Sequence, residues 1–333
     1  MMIMQNDFGS QTESKLKELA EAGTRILVTG GSGYLGSVLV EMLVAWGFDV
    51  TVVDNLLYSQ NTLFNLFHTG KIRFVYGDVT NESFMKRVME EKYDYILPLA
   101  AIVGFPISEL KPEITWMVNH KAILTVLEHR KNARIIFPTT NSGYGATTGE
   151  IYCTEESPLN PISVYGKSKV AAEKTIMESG NAICFRLATL FGFSPRMRTD
   201  LLVNNFVQKA ITDRVLVLFE KHFKRNFAHV RDAARAFLWA IANWDVMKNR
   251  VYNVGHPDCN VSKYELALLI KKYVPELNIF DAEIGHDPDK RNYIVSNERL
   301  LKTGFVFGHT LEDGIKELIR GFEAFKDYRF KNY

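Results

Sequence analysis

Ile26-Leu27-Val28-Thr29 runs directly into Gly30-Gly31-Ser32-Gly33-Tyr34-Leu35-Gly36, and from there into an apolar helical period, VLVEMLVAWG. No other stretch constrains the fold so tightly. A strand that turns on glycines into a helix opens a βαβ unit, and its exposed N–H groups and helix N-terminus suit a phosphate ester. Gly30, Gly33 and Gly36 permit the tight turn and the close backbone approach, while Tyr34 and Leu35 begin the helix. Such a turn also occurs as plain structure, so its meaning depends on the chain downstream of it.

Downstream lies a regular alternation. Short β-branched runs at 26–29, 49–54, 72–77, 93–100, 133–140 and 182–189 are separated by helical periods near 34–46, 81–91, 113–130 and 163–179. Each helical segment is long enough for a right-handed crossover between parallel strands. The pattern predicts an α/β fold, a doubly wound parallel sheet of six strands. Beyond residue 190 the alternation loosens, with helices expected near 200–212, 231–243 and 262–273 and short strands near 215–219 and 251–254. Residues 24–190 therefore read as a nucleotide-binding Rossmann domain and 191–333 as a smaller, mainly substrate-binding lobe interleaved with the sheet edge. Residues 1–23 read as an appendage whose segment Glu13–Ala22 puts Leu16, Leu19 and Ala20 on one helical face.

Asp54 ends the second run, 18 residues beyond Gly36. A carboxylate there accepts hydrogen bonds from ribose hydroxyls and repels a 2′-phosphate, which favours NAD over NADP. Asp78 and Val79 come after the third run, where a carboxylate can meet an adenine amino group. Leu99-Ala100-Ala101 come after the fourth, and their small side chains leave room for phosphates and riboses.

Tyr165 and Lys169 open the helix after the fifth run, spaced i, i+4 and so on one face. A phenol titrates near pH 10 and acts as a base at neutral pH only where positive charge favours its phenolate. Lys169 supplies such a charge, and Thr140, at the end of the fifth run, stands where a hydroxyl can hold the same substrate oxygen. Alone, Tyr-x-x-x-Lys is usually an exposed helix face; after a dinucleotide fold it is a catalytic pair.

TGGSGYLG, GDV, LAA, TTNSGYG, YGKSK and FRLATLFG, in this order and spacing, resemble the extended short-chain dehydrogenase/reductases of the NAD-dependent epimerase/dehydratase family, over about residues 24–325. The resemblance implies a catalytic set of Thr140, Tyr165 and Lys169, with Gly30, Gly33, Gly36, Asp54, Asp78 and Val79 as cofactor contacts. Dehydratases of this family carry Asp-Glu after the catalytic Thr. Here Asn141 and Ser142 stand there, as substrate contacts, and an amide and a hydroxyl are poor at the paired proton transfers of dehydration. TNSGYG, CTEESPLNPISVYGKSK, FRLATLFGFSPRMRTDLLVNNFV and VLFEKHFKRNFAHVRD are further similar to bacterial GDP-heptose 4-dehydrogenases of capsule-sugar pathways. That likeness implies oxidation of a sugar nucleotide, a GDP-sugar in first place, at C4; a 4-epimerase with retained NAD is the alternative. Arg225 and Arg291 then match residues that hold the diphosphate, and Asn204 is expected at phosphate or sugar. FEKHFK (219–224) replaces a Gly-rich turn that borders the base in relatives. Two other readings, a non-catalytic dinucleotide sensor and an NADPH-dependent ketosugar reductase, sit poorly with the retained Tyr–Lys pair and with Asp54.

Composition narrows the classes. Forty Lys+Arg against 38 Asp+Glu leave a net charge of +2, so there is no global field for nucleic acid or a membrane surface. No apolar run is long enough to span a bilayer and no secretory signal is recognised, from which a cytoplasmic enzyme is expected. Cys153, Cys184 and Cys259 lie far apart, and His222 and His229 are isolated, so no metal site is expected. The apolar residues of AILTVLE and VAAEKTIM, on the 113–130 and 163–179 segments, suit the helical interface of a homodimer.

Overall fold

The computed structural model describes residues 8–59, 62–145, 152–282 and 294–325. Seven parallel strands form the central sheet: β1 (Arg25–Thr29), β2 (Asp49–Asp54), β3 (Ile72–Tyr76), β4 (Tyr95–Pro98), β5 (Arg134–Thr140), β6 (Ala182–Leu187) and β7 (Arg250–Val254). Their order across the sheet is β3-β2-β1-β4-β5-β6-β7. The reversal falls between β1 and β4, and ligands of doubly wound sheets bind at that switch point, outside the carboxyl ends of the strands.

The last strand departs from the sequence expectation. The run near 251–254, assigned to the smaller lobe, pairs in parallel with β6 from Arg250↔Ile183 to Val254↔Leu187 and makes a seventh strand of the main sheet. Its residues Tyr252 and Val254 are fully buried, so the hydrophobic gain of the sheet edge outweighs the chain's long excursion before it.

β1, β2 and β6 are buried on both faces because helices cover both sides. The first helix, α1 (Ser10–Glu21), is 12 residues long and packs against the sheet's helical layer. Its Leu16 is fully buried within the largest hydrophobic cluster, together with Leu43 and Phe48, and Phe8 meets Trp46 edge-on with ring centroids 6.1 Å apart. This part of the N-terminal segment is thus integral to the core. Leu16→Ala is expected to cost about 2–5 kcal/mol of unfolding free energy, the usual range for a buried leucine, readable as a lowered urea midpoint. A change near zero would return the helix to the status of an appendage.

Outside the main sheet the chain builds three small sheets. Thr189–Phe191, Lys224–His229 and Asn260–Ser262 form one, Val215–Leu218 pairs with Asn278–Asp281, and Tyr152–Cys153 pairs with Ile294–Val295. The helices expected near 200–212, 231–243 and 262–273 are present at Leu202–Thr212, Val230–Ala242 and Lys263–Tyr273. The segment expected as one helix at 113–130 runs as α-helix, one wide π turn at Met117–Lys121, and α-helix again to His129. No helix of the described residues is long and apolar enough to cross a membrane.

Candidate active site

A cavity of about 470 Å³ lies over the switch point, within the usual size range of small-molecule sites. Its floor is the glycine turn between β1 and α2 (Tyr34–Ala45). Gly30 has φ +72°, and a Cβ there would lie 2.6 Å from the backbone N of Ala100. At Gly36 a Cβ would lie 2.4 Å from the carbonyl oxygen of Gly30. The turn therefore closes only with glycine, and a backbone lies where a side chain would otherwise fill the cradle. Gly33, Tyr34, Leu35, Asp78, Val79, Leu99, Ala100 and Ala101 line the same cavity, so the expected cofactor contacts converge.

Asp54 accepts the N–H of Ser32 at 2.9 Å and of Leu56 at 2.8 Å, which fixes both carboxylate oxygens at the tip of β2. Burial pushes its pKa above the ordinary carboxylate value, and those two N–H bonds oppose the rise. Asp78 accepts from Thr80 and from the amide of Asn55.

The expected catalytic set meets in the same cavity. Thr140, at the end of β5, donates to the Ser142 hydroxyl at 3.0 Å and accepts the Ser142 N–H. Tyr165 and Lys169 occupy the first turns of α3 (Val164–Glu178), which Ser163 caps by accepting the N–H of Gly166. Thr140, Ser142, Tyr165 and Lys169 all line the cavity. Lys169 is 3% exposed, and its Nζ sits 3.8 Å from the centroid of Phe137. Burial lowers its pKa to about 7. One turn on, Glu173 is committed to Arg186 of β6 through a buried bidentate pair, 2.6 Å at its shortest. Arg186 also donates to the Tyr144 hydroxyl, which donates to Asn253 of β7. This network locks α3 to the sheet and holds the Tyr–Lys face in place.

Several expected substrate contacts fall elsewhere. Asn141 is 2% exposed and does not line the cavity, and its amide atoms make no hydrogen bond. Asn204 is fully buried: it accepts the N–H of Gly192, and donates to the Tyr34 hydroxyl and the Arg198 carbonyl. Its side chain holds the protein's own backbone and offers no open face to a ligand. Arg225 is buried on the strand Lys224–His229, outside the cavity lining. Arg291 lies outside the described residues. In their stead the cavity takes two arginines to which no role was given from sequence, Arg196 and Arg198. Arg198 is paired to Asp200 at 2.5 Å, and its charge is felt by the Tyr165 phenol. The signal was present in Pro195-Arg196-Met197-Arg198, two basic residues shortly after a strand end, and it needed the fold to be read.

Residues 26–255 match the model of the NAD dependent epimerase/dehydratase family. The chain belongs to that family. Its cofactor is NAD, and the glycine cradle, Asp54 and the Tyr–Lys pair on one cavity fit that group. A family member from Streptomyces lividans, a UDP-glucose 4-epimerase, is 33% identical over 70% of this chain and 76% of its own. UDP-glucuronic acid decarboxylase 1 of Arabidopsis thaliana is 27% identical over 83% of this chain, which spans 64% of that protein. The crystal structure of Thermus thermophilus UDP-glucose 4-epimerase in complex with NAD superposes with a TM-score of 0.77 at 22% identity, covering 90% of this chain and 99% of that one. The family thus holds epimerases and decarboxylases on one scaffold, and the reaction of a member is argued from its site.

Proposed function

We propose that this family member oxidises a sugar nucleotide at C4, as a nucleotide-sugar 4-dehydrogenase acting on a GDP-heptose or GDP-hexose in surface-polysaccharide synthesis. The observation that carries the reading is the meeting of Thr140, Tyr165 and Lys169 with the glycine turn in one cavity, while Asn141 and Ser142 occupy the sequence positions at which dehydratases of the family carry an acid–base pair. Tyr165 takes the proton of the ring hydroxyl, Thr140 and Ser142 hold that oxygen, and Lys169 favours the phenolate. NAD, when bound, supplies the acceptor for the hydride. The guanine preference and the heptose come from the sequence likeness alone.

A second reading has its own support. The 33% identical relative is named a 4-epimerase, and re-reduction from the opposite face begins with the same proton transfer. The two separate on products: purified enzyme with GDP-, UDP- and dTDP-sugars is expected to yield a 4-ketosugar, with NADH detected by its absorbance. A C4 epimer without net NADH would establish the epimerase. Unchanged sugar across the panel would sink both.

On this proposal residues 24–190 are the NAD domain, residues 191–333 are mainly the substrate lobe, and the enzyme is cytoplasmic. A homodimer is proposed through the helical segments 113–130 and 163–179; Ile114, Trp116, Met117 and Leu124 stand exposed on the first, whereas Ala172 and Ile176 of the second are buried. Light scattering at twice the 38.0 kDa chain mass would support it.

A further inference from the structure

We infer that Arg196, carried into the cleft on a strap from the second lobe, is the cation that meets the diphosphate of the bound dinucleotide. The inference rests on the cavity being the NAD site.

The strap is the stretch from Gly192 to Asp200, between the strand Thr189–Phe191 and the helix Leu202–Thr212. It is pinned to the first turn of α2, the helix that begins at the glycine turn. The Tyr34 hydroxyl donates to the Gly192 carbonyl at 2.7 Å, the Ser194 hydroxyl donates to the Tyr34 carbonyl at 2.7 Å, and the Ser37 and Ser194 hydroxyls meet at 3.1 Å. Asn204 and Asn205 hold its far end through the carbonyls of Arg198 and Thr199. These bonds set Arg196 two residues from an anchor on the N-terminal turn of α2, where backbone N–H groups and the helix dipole favour an anion.

Two further contacts fix where its charge lies. The guanidinium carbon stands 4.2 Å from the centroid of the Tyr58 ring, a cation–π arrangement at the loop after β2. The Asp54 carboxylate at the tip of β2 acts on it electrostatically. Arg196 is 3% exposed and lines the same cavity as Gly30, Ser32, Gly33 and Asp54. A dinucleotide whose adenosine ribose lies at Asp54 has its diphosphate at the adjoining glycine turn. The guanidinium is held there by the aromatic ring and by donating from Nη1 to the Met197 carbonyl at 2.8 Å, and its charge so placed is suited to meet the diphosphate.

The test uses the purified full chain and reads binding, not turnover. NADH is titrated by its fluorescence and then displaced with ADP-ribose, adenosine or NADP+. Arg196→Gln is expected to weaken NADH and ADP-ribose at least about ten-fold, as loss of a charged hydrogen bond does, and to leave adenosine within about two-fold. Arg196→Lys should recover part of the loss. Tyr58→Leu, which keeps the arginine and removes the ring beneath it, should give a smaller loss in the same ligands, and equal melting temperatures would rule out misfolding. ADP-ribose affinity unchanged in Arg196→Gln, with NADH still binding wild type, would overturn the inference. So would a loss confined to NADP+, which would give the arginine to a 2′-phosphate. Failure of wild type to bind NADH would overturn the cofactor site itself.

Discussion

Tyr165→Phe is expected to lower kcat by about 10²–10⁴-fold, the usual contribution of a positioned proton-transfer group, with NADH affinity within about two-fold of wild type. The ring is retained, so packing in the first turn of α3 is undisturbed, and only the phenol oxygen of this cavity-lining residue is lost. Thr140 and Ser142, bonded to each other in the same cavity, remain for the proposed contact to the substrate oxygen, which should keep KM near its wild-type value while kcat falls. Steady-state kinetics beside a fluorescence titration checks both halves. Activity within about ten-fold of wild type, below the range expected of such a group, would remove Tyr165 from the chemistry.

Lys169→Met should also abolish turnover, yet make the cofactor-free protein more stable. Burial holds the folded-state pKa of Lys169 at about 7, against the ordinary lysine value of 10.5. Between those values the unfolded chain binds a proton that the folded chain does not, so the lysine's burial costs stability throughout that window. The sign is that of a depressed amine: the folded chain is destabilised most below about pH 7, where it carries the whole cost of a buried ammonium, and stability falls as protons are taken up by the unfolded chain alone. Because the unfolded state binds more protons there, stability rises with pH from about 7 toward 10. Methionine fills a similar volume without that charge, and Glu173 keeps Arg186 as its partner, so no orphan carboxylate is left behind. The variant is expected to exceed wild type by on the order of a few kcal/mol at about pH 6, the gap closing as pH climbs toward 10. Urea melts of both proteins at several pH values measure it. A variant less stable than wild type at the acid end would show that the ammonium is compensated where it sits.

The strand–turn–helix at 26–45 and the alternation up to residue 189 were legible because each signal is local: a glycine turn, a run of β-branched residues and a helical period are imposed by neighbours within a few positions. The Tyr165–Lys169 pair was legible for the same reason, since helix geometry alone puts i and i+4 on one face. Arg250–Val254 was not. A short stretch of strand character does not say which sheet receives it, and the answer lay with Ala182–Leu187, far earlier in the chain. Leu16 shared that difficulty, because an amphipathic turn does not reveal whether its apolar face finds a core.

The site divides along the same line. From the sequence alone came the cradle at Gly30–Gly36, the carboxylate at Asp54 and the Thr140, Tyr165 and Lys169 set, features whose chemistry is carried by spacing along one element or at a strand end. Only the tertiary structure decided which polar side chains line the cavity. It turned Asn204 inward to hold Arg198 and Gly192, withdrew Arg225 into a strand, and brought Arg196 beside Tyr58 and Asp54 from a distant part of the chain. An arginine's charge is a property of the residue, but what that charge meets depends on which distant segments pack together, and no local spacing encodes that.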